Sequence, residues 1–301
     1  MAEKPQMIAI VGPTASGKSD LAVRLAKKFG GEVISADSRQ VYKGLDIGTG
    51  KVTKKEMAGI PHYLLDVVSP KKQYSVAEFQ RDANKAIADI LKRGKLPIIC
   101  GGTGFYVDAL VYDSLLPDVP PNEALRKKLD RETTESLYEI LKKIDPERAE
   151  TIDAQNPRRL VRAIEIAQAL GKVPERSFNS SFTPLFIGIK VPAEILKERI
   201  HVRLLKRMKG GMLAEAKTLH EKGLSWKRME ELGLEYRYLA RYLRGAITKS
   251  EMLIQLESAI IQYAKRQHTW FKRNTNIHWV EYDSPAKAEK IVLNFIKKTS
   301  E

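Results

Sequence analysis

Residues Gly12-Pro13-Thr14-Ala15-Ser16-Gly17-Lys18-Ser19 match the pattern G-x-x-x-x-G-K-[ST] in full, directly after the apolar run Met7-Ile8-Ala9-Ile10-Val11. The run reads as a buried strand, and Asp20 to Phe29 reads as the helix that the loop opens. Such a loop constrains the fold, because it needs a strand on one side and a helix start on the other. Glycines let the backbone curl until its N–H groups point inward at an anion, and the helix N-terminus adds partial positive charge. Gly12, Thr14, Ala15, Ser16, Gly17, Lys18 and Ser19 are therefore expected to line a polyphosphate site. Lys18 would bridge phosphate oxygens, and the Ser19 hydroxyl would sit on Mg²⁺. The loop alone leaves the polyphosphate unnamed.

Further short apolar runs fall at Glu32–Ala36, Tyr63–Val67, Leu96–Cys100 and Leu185–Val191, separated by helical patterns such as Ser75 to Arg93. Strands alternating with helices predict an α/β fold: a P-loop NTPase-like core with a central parallel sheet flanked by helices. Ligands of such sheets lie at the carboxyl ends of the strands. Asp37 and Asp66 follow two of the predicted strands, and Gly101-Gly102-Thr103-Gly104 follows a third. Asp37 is a candidate for the Mg²⁺ water shell or for a general base, or else it caps a turn. Asp66 competes with it, and Pro70 nearby favours a loop cap there. Where many phosphate-loop ATPases carry a carboxylate, the fourth strand runs into glycines and the single hydroxyl of Thr103.

From Leu116 the texture changes to proline-rich and then all helical. Asn122, Asp145 and Asn156 suit helix N-caps, Pro146 and Pro157 the first helical position, and Gly171 a helix end. Three segments follow: a first core part over 1–117, an all-helical insertion over 118–183, and a second core part over 184–301.

The chain of 301 residues carries 52 Lys and Arg against 37 Asp and Glu, a net charge of +15. That excess favours a polyanion, most simply nucleic acid. Arg158, Arg159 and Arg162 share one predicted helix face. Arg199 and Arg203, four residues apart, are placed to hand a guanidinium to a phosphate. The segment from Gln262 to Arg273 interleaves bases, Lys265 and Arg266 among them, with aromatic rings, as suits unstacked RNA bases. Cys100 is the only cysteine, which excludes an intrachain disulfide and a thiolate metal site. No signal-peptide pattern opens the chain and no apolar stretch approaches a membrane span, so a cytoplasmic protein is expected.

Together these motifs resemble the bacterial tRNA dimethylallyltransferases. The likeness is carried by residues 12–19, by Ile34-Ser35-Ala36-Asp37-Ser38-Arg39-Gln40-Val41-Tyr42, and by Pro61-His62-Tyr63-Leu64-Leu65-Asp66. Gly101-Gly102-Thr103-Gly104-Phe105-Tyr106, Asn156-Pro157-Arg158-Arg159 and Ala264-Lys265-Arg266-Gln267-His268-Thr269-Trp270-Phe271 continue it in order. The resemblance implies transfer of a dimethylallyl group from its diphosphate to N6 of adenosine 37, beside the anticodon of tRNA. The phosphate loop would then hold the diphosphate of the isoprenoid, although its motif alone suggests ATP. Lys18, Mg²⁺ on Ser19 and Arg203 would stabilise that leaving group. Asp37 becomes the base for the adenine amine, and Thr103 would bond the same adenine or the bridging oxygen. Ser38, Arg39 and Gln40 would contact bases of the anticodon stem-loop, and Arg158, Arg159 and Arg162 its backbone. A monomer is expected. Two stretches depart from the family. Gly50-Lys51-Val52 stands where Ala-Lys-Pro is usual, a change expected to be tolerated. Glu231-Leu232-Gly233-Leu234-Glu235-Tyr236-Arg237 replaces an Ile-Gly-Tyr-Lys/Arg-Glu pattern, so no role carries over to it. The rival readings are an ATP-dependent kinase of a nucleotide or small metabolite, and a non-catalytic, nucleotide-gated RNA-binding module.

Overall fold

The computed structural model describes residues 4–112, 117, 119–175 and 179–298. They form two compact units, one from residues 1–112 and 180–301 and one from 113–179. The expected boundary at Asp118 lies outside the described residues, as do Leu116, Ser177 and Phe178.

The larger unit opens with β1 (Gln6–Val11), α1 (Lys18–Phe29), β2 (Gly31–Ser35), α2 (Lys54–Met57), β3 (His62–Tyr63), α3 (Val76–Lys92), β4 (Leu96–Gly101) and α4 (Gly104–Val111). The helical unit holds α5 (Glu123–Leu129), α6 (Thr134–Ile144), α7 (Pro146–Thr151) and α8 (Pro157–Leu170). The larger unit then resumes with β5 (Thr183–Lys190), α9 (Ala193–Lys209), α10 (Met212–Glu221), α11 (Trp226–Leu232), α12 (Leu234–Leu243), α13 (Lys249–Lys272), β6 (Ile277–Glu281) and α14 (Pro285–Lys298).

The six strands form one sheet in the order β3-β2-β4-β1-β5-β6, every pair parallel. Along β1, Ile8 and Ile10 face one fully buried cluster with Leu21, Leu25 and Ile98, while Met7, Ala9 and Val11 face another with Phe79, Ile87 and Val107. Burial on both faces is what the unbroken apolar run required. A third cluster joins α9–α13 to the segment after β2, through Tyr42, Leu45, Leu204, Tyr236 and Leu256.

The sheet departs from expectation at both edges. The strand expected over Tyr63–Val67 stops at Tyr63, because Leu64 and Asp66 take left-handed backbone angles (φ 61° and 56°) that a strand cannot continue. Asp66 accepts from Lys51 Nζ there, so it braces a loop. A sixth strand, β6, pairs with β5 inside a stretch expected to be helical. In the insertion the caps fall where expected. Asn122, Asp145 and Asn156 accept from the third-residue N–H of α5, α7 and α8, Pro146 and Pro157 begin the latter two, and Gly171 ends α8. Among the described residues no helix is long and apolar enough to cross a membrane.

Candidate active site

The chain leaves the neighbouring strands β1 and β4 toward opposite edges of the sheet, and their carboxyl ends carry the phosphate loop and the Gly101–Gly104 turn. Gly12, Thr14, Ala15, Ser16 and Gly17 form the loop, and Lys18 and Ser19 begin α1. The Ser16 hydroxyl is buried with no protein partner, as befits a donor held for an anion. Thr14 differs from expectation: its backbone N–H already donates to Gln267 Oε1 at 2.8 Å, leaving only its side chain for phosphate.

Lys18 folds over the loop, its Nζ donating to the Pro13 carbonyl at 2.6 Å. Burial first, and Arg203 next among the lowering causes, bring its ammonium down to about 8, against the opposing pull of Cys100 and Asp37. Arg203, on α9, donates to the Gly50 carbonyl at 3.0 Å. Its guanidinium is pushed below its ordinary range by burial and then by Arg207. A Cβ on Gly50 would meet Arg203 Nη2 at 2.3 Å, and φ there is +60°. In this chain the glycine of the divergent Gly50-Lys51-Val52 stretch leaves room for the guanidinium and readily takes the positive φ.

Asp37 does form the turn cap that was one of its expected roles. Its Oδ1 accepts from the backbone N–H groups of Arg39 (2.8 Å) and Gln40 (3.2 Å), and neither bond uses Oδ2. Asp37 also lies within electrostatic reach of Lys18, Arg203 and Tyr263. Thr103 Oγ1 accepts from the Ser38 N–H at 3.0 Å, and the Thr103 N–H donates to the Ala36 carbonyl at 3.2 Å. The β2 and β4 loops are thus tied together beside the carboxylate. Ser38, Arg39 and Gln40 are half-buried on the same loop.

Three side chains on one face of α13, at Tyr263, Gln267 and Trp270, dock on that turn. The Tyr263 hydroxyl bonds the Thr103 side chain, and its pKa is pushed up to about 12, first by burial and then by Asp37. A Cβ on Gly102 or Gly104 would come within 2.1 Å of Gln267 or Trp270 respectively, so the glycines are there to admit the helix. On the solvent side of α13, Lys265 and Arg266 are exposed.

The divergent stretch has a job as well. Glu215 accepts from the successive N–H groups of Asp46, Ile47 and Gly48 at 3.0, 2.7 and 2.8 Å, and Tyr236 donates its hydroxyl to the same carboxylate. Glu235 pairs with Arg207, which donates to the Gly48 carbonyl. These contacts fix the segment on which Arg203 rests.

Within the insertion, Arg158 and Arg159 are exposed, with Arg159 3.3 Å from Asp153. Arg162, expected on the same binding face, instead spends its guanidinium on Glu165 (3.1 Å) and the Val119 carbonyl (2.8 Å). Buried Glu165 draws it inward, because a carboxylate away from water needs cationic partners.

Among the described residues no cluster of three or more His, Cys, Asp or Glu could cage a metal. Mg²⁺ that takes its oxygens mostly from a diphosphate and water needs no such cage; Ser19, exposed at the head of the loop with its side chain hydrogen-bonded to Cys100, fits that ion once its hydroxyl turns from the thiol.

The profile of the IPP transferase family matches residues 40–274. The chain belongs to the IPP transferase family. It is 46% identical over 290 residues to tRNA dimethylallyltransferase 2 of Treponema denticola, covering 93% of this chain and 97% of that one. With tRNA dimethylallyltransferase 1 of Geotalea daltonii it shares 42% over 297 residues, 97% and 96% of the two chains. Among solved structures, the full-length tRNA isopentenylpyrophosphate transferase of Bacillus halodurans superposes with a TM-score of 0.76 at 35% identity, over 99% of this chain and 98% of that one. A eukaryotic dimethylallyltransferase acting on tRNA gives 0.85 at 28% identity, over 98% and 80%. The phosphate loop and Asp37 lie just ahead of the profile's match, and the relatives' alignments extend over most of the chain.

Proposed function

We propose that this protein transfers the dimethylallyl group of dimethylallyl diphosphate to N6 of adenosine 37, beside the anticodon of tRNA, and releases diphosphate. The supporting observation is a phosphate loop joined to Asp37 and Thr103, with glycine and threonine rather than a carboxylate after β4. The relatives named tRNA dimethylallyltransferase favour the same substrate pair.

The bond that breaks joins the allylic carbon to the bridging oxygen, and its electron pair leaves with the diphosphate. The bond that forms joins that carbon to the adenine nitrogen. Charge builds on the departing oxygens, where loop N–H groups, Lys18, Arg203 and the Ser16 hydroxyl stabilise it. The Ser19 hydroxyl would hold Mg²⁺, which when bound would add neutralisation there. Asp37 takes the amine proton on Oδ2, since Oδ1 is held by two backbone N–H groups. Thr103 orients the adenine beside it. Arg158, Arg159, Lys265 and Arg266 hold tRNA phosphates, while Ser38, Arg39 and Gln40 meet bases.

The test offers unmodified tRNA with either radiolabelled dimethylallyl diphosphate or γ-labelled ATP. Label entering tRNA only from the isoprenoid is the expected result. ATP-dependent phosphorylation of a small molecule, with no label in tRNA, would contradict it.

A further inference from the structure

The covalent chain separates the phosphate loop from the Thr103 turn by some 85 residues, but a single side chain spans them in space. Gln267 lies at 6% exposure between the two. Its Oε1 accepts the Thr14 N–H at 2.8 Å, and its Nε2 donates to the Gly102 carbonyl at 2.9 Å. The amide can face only this way, because Thr14 N–H only donates and Gly102 C=O only accepts. A buried amide is costly unless both ends are paired, and here both are. An apolar side chain of the same length would fill the space without fixing the two loops in register.

We propose that Gln267 is a positioning residue that holds the leaving-group cradle and the acceptor side of the site at one spacing. The inference rests on the transfer reaction proposed above. Its oxygen sets the loop that grips the diphosphate. Its nitrogen sets Gly102, hence Thr103, hence through the Thr103–Ser38 bond the loop that carries Asp37. Tyr263 and Trp270, one turn to either side on the same helix face, grip Thr103 and Gly104, so α13 indexes the whole turn against the phosphate loop. The two ends act on different quantities. The oxygen end governs diphosphate affinity, and the nitrogen end governs turnover once both substrates are bound.

Two full-length variants separate them. Gln267→Glu keeps an acceptor for Thr14 and places a carboxylate oxygen against the Gly102 carbonyl. Gln267→Met keeps the length and loses both bonds. Each is measured for kcat, for KM of dimethylallyl diphosphate, and for the Kd of inorganic pyrophosphate by calorimetry, alongside its melting temperature. The Glu variant is expected to bind pyrophosphate within about threefold of the parent and to lose kcat by about tenfold or more, while the Met variant loses both by about tenfold. Kinetic values within about twofold of the parent in both variants would overturn the proposal. So would losses of equal size in all parameters that follow the melting temperature, since a mere space-filler would give that pattern. Should the Met variant not fold, the divergence of kcat from pyrophosphate affinity in Gln267→Glu alone decides. A parent protein that transfers no dimethylallyl group would defeat the proposed reaction instead, and the pyrophosphate comparison would still test the grip on the loop.

Discussion

Lys18 sits where a depressed pKa is put to use. Without an anion, its ammonium near 8 lies well below the ordinary lysine value, chiefly because burial strips its hydration. Above about pH 8 the folded protein has lost a proton that an unfolded chain keeps up to its ordinary lysine pKa. This group's contribution to stability therefore rises with pH over that window, and below it the full penalty of a buried cation stands. A bound diphosphate reverses the preference, so binding above about pH 8 must take up a proton. The Kd for inorganic pyrophosphate should therefore weaken above that pH, approaching about tenfold per unit, beyond any change seen in Lys18→Met. Superimposable pH profiles for the two proteins would show that Lys18 does not make this contact. Asp37 gives a second prediction. Asp37→Asn keeps an Oδ1 acceptor for Arg39 and Gln40, so the turn and the tRNA Kd should survive. Turnover should fall by about a hundredfold or more, because the amide cannot take a proton; a variant of undiminished kcat would remove Asp37 as the base.

At the scale of elements, the segment 46–50 shows how much of the site hangs on partners distant in sequence. Glu215 on α10 collects three consecutive N–H groups, and Arg203 and Arg207 on α9 take the carbonyls of Gly50 and Gly48. Glu215→Ala would orphan those donors and Tyr236, costing about 2–3 kcal/mol by denaturant midpoint and weakening pyrophosphate binding through Arg203. Glu215→Gln should recover part of the stability. No loss in the alanine variant would mean that water replaces the carboxylate freely. Nothing in the sequence around Glu215 marks it, because a lone glutamate on an amphipathic helix looks like a solvated one. The phosphate loop, the β–α alternation and the insertion's caps were legible for the opposite reason: each is a local pattern with its own chemistry. β6 was not, since only its first and fourth residues are buried. Gln267 and Tyr263 sat inside a run that read as an RNA-facing surface. Their spacing with Trp270, at four and then three residues, was the available signal that one face of that helix turns inward. That the Arg162 guanidinium is engaged was hidden because the sequence could not show that Glu165, three positions on, is buried.

At the scale of the whole molecule, the net charge of +15 and the exposed Arg158, Arg159, Lys265 and Arg266 predict tRNA affinity that falls steeply with salt. Replacing Arg158 and Arg159 with alanine should weaken binding and flatten the plot of log Kd against log salt by about one unit of slope or more. An unchanged slope would mean that the start of α8 stays in solvent throughout. What the phosphate loop does with its phosphates separates the two enzyme readings. In a kinase it delivers one; in the proposed transfer it holds the group to be discarded. A donor carrying ¹⁴C in the dimethylallyl group and ³²P in the diphosphate separates the two outcomes in one reaction with unmodified tRNA. The proposed transfer leaves ¹⁴C in the tRNA, on N6 of a single adenosine, and releases ³²P as free diphosphate in equal amount. Phosphorus label in the tRNA, or diphosphate release with no carbon transferred, would contradict it.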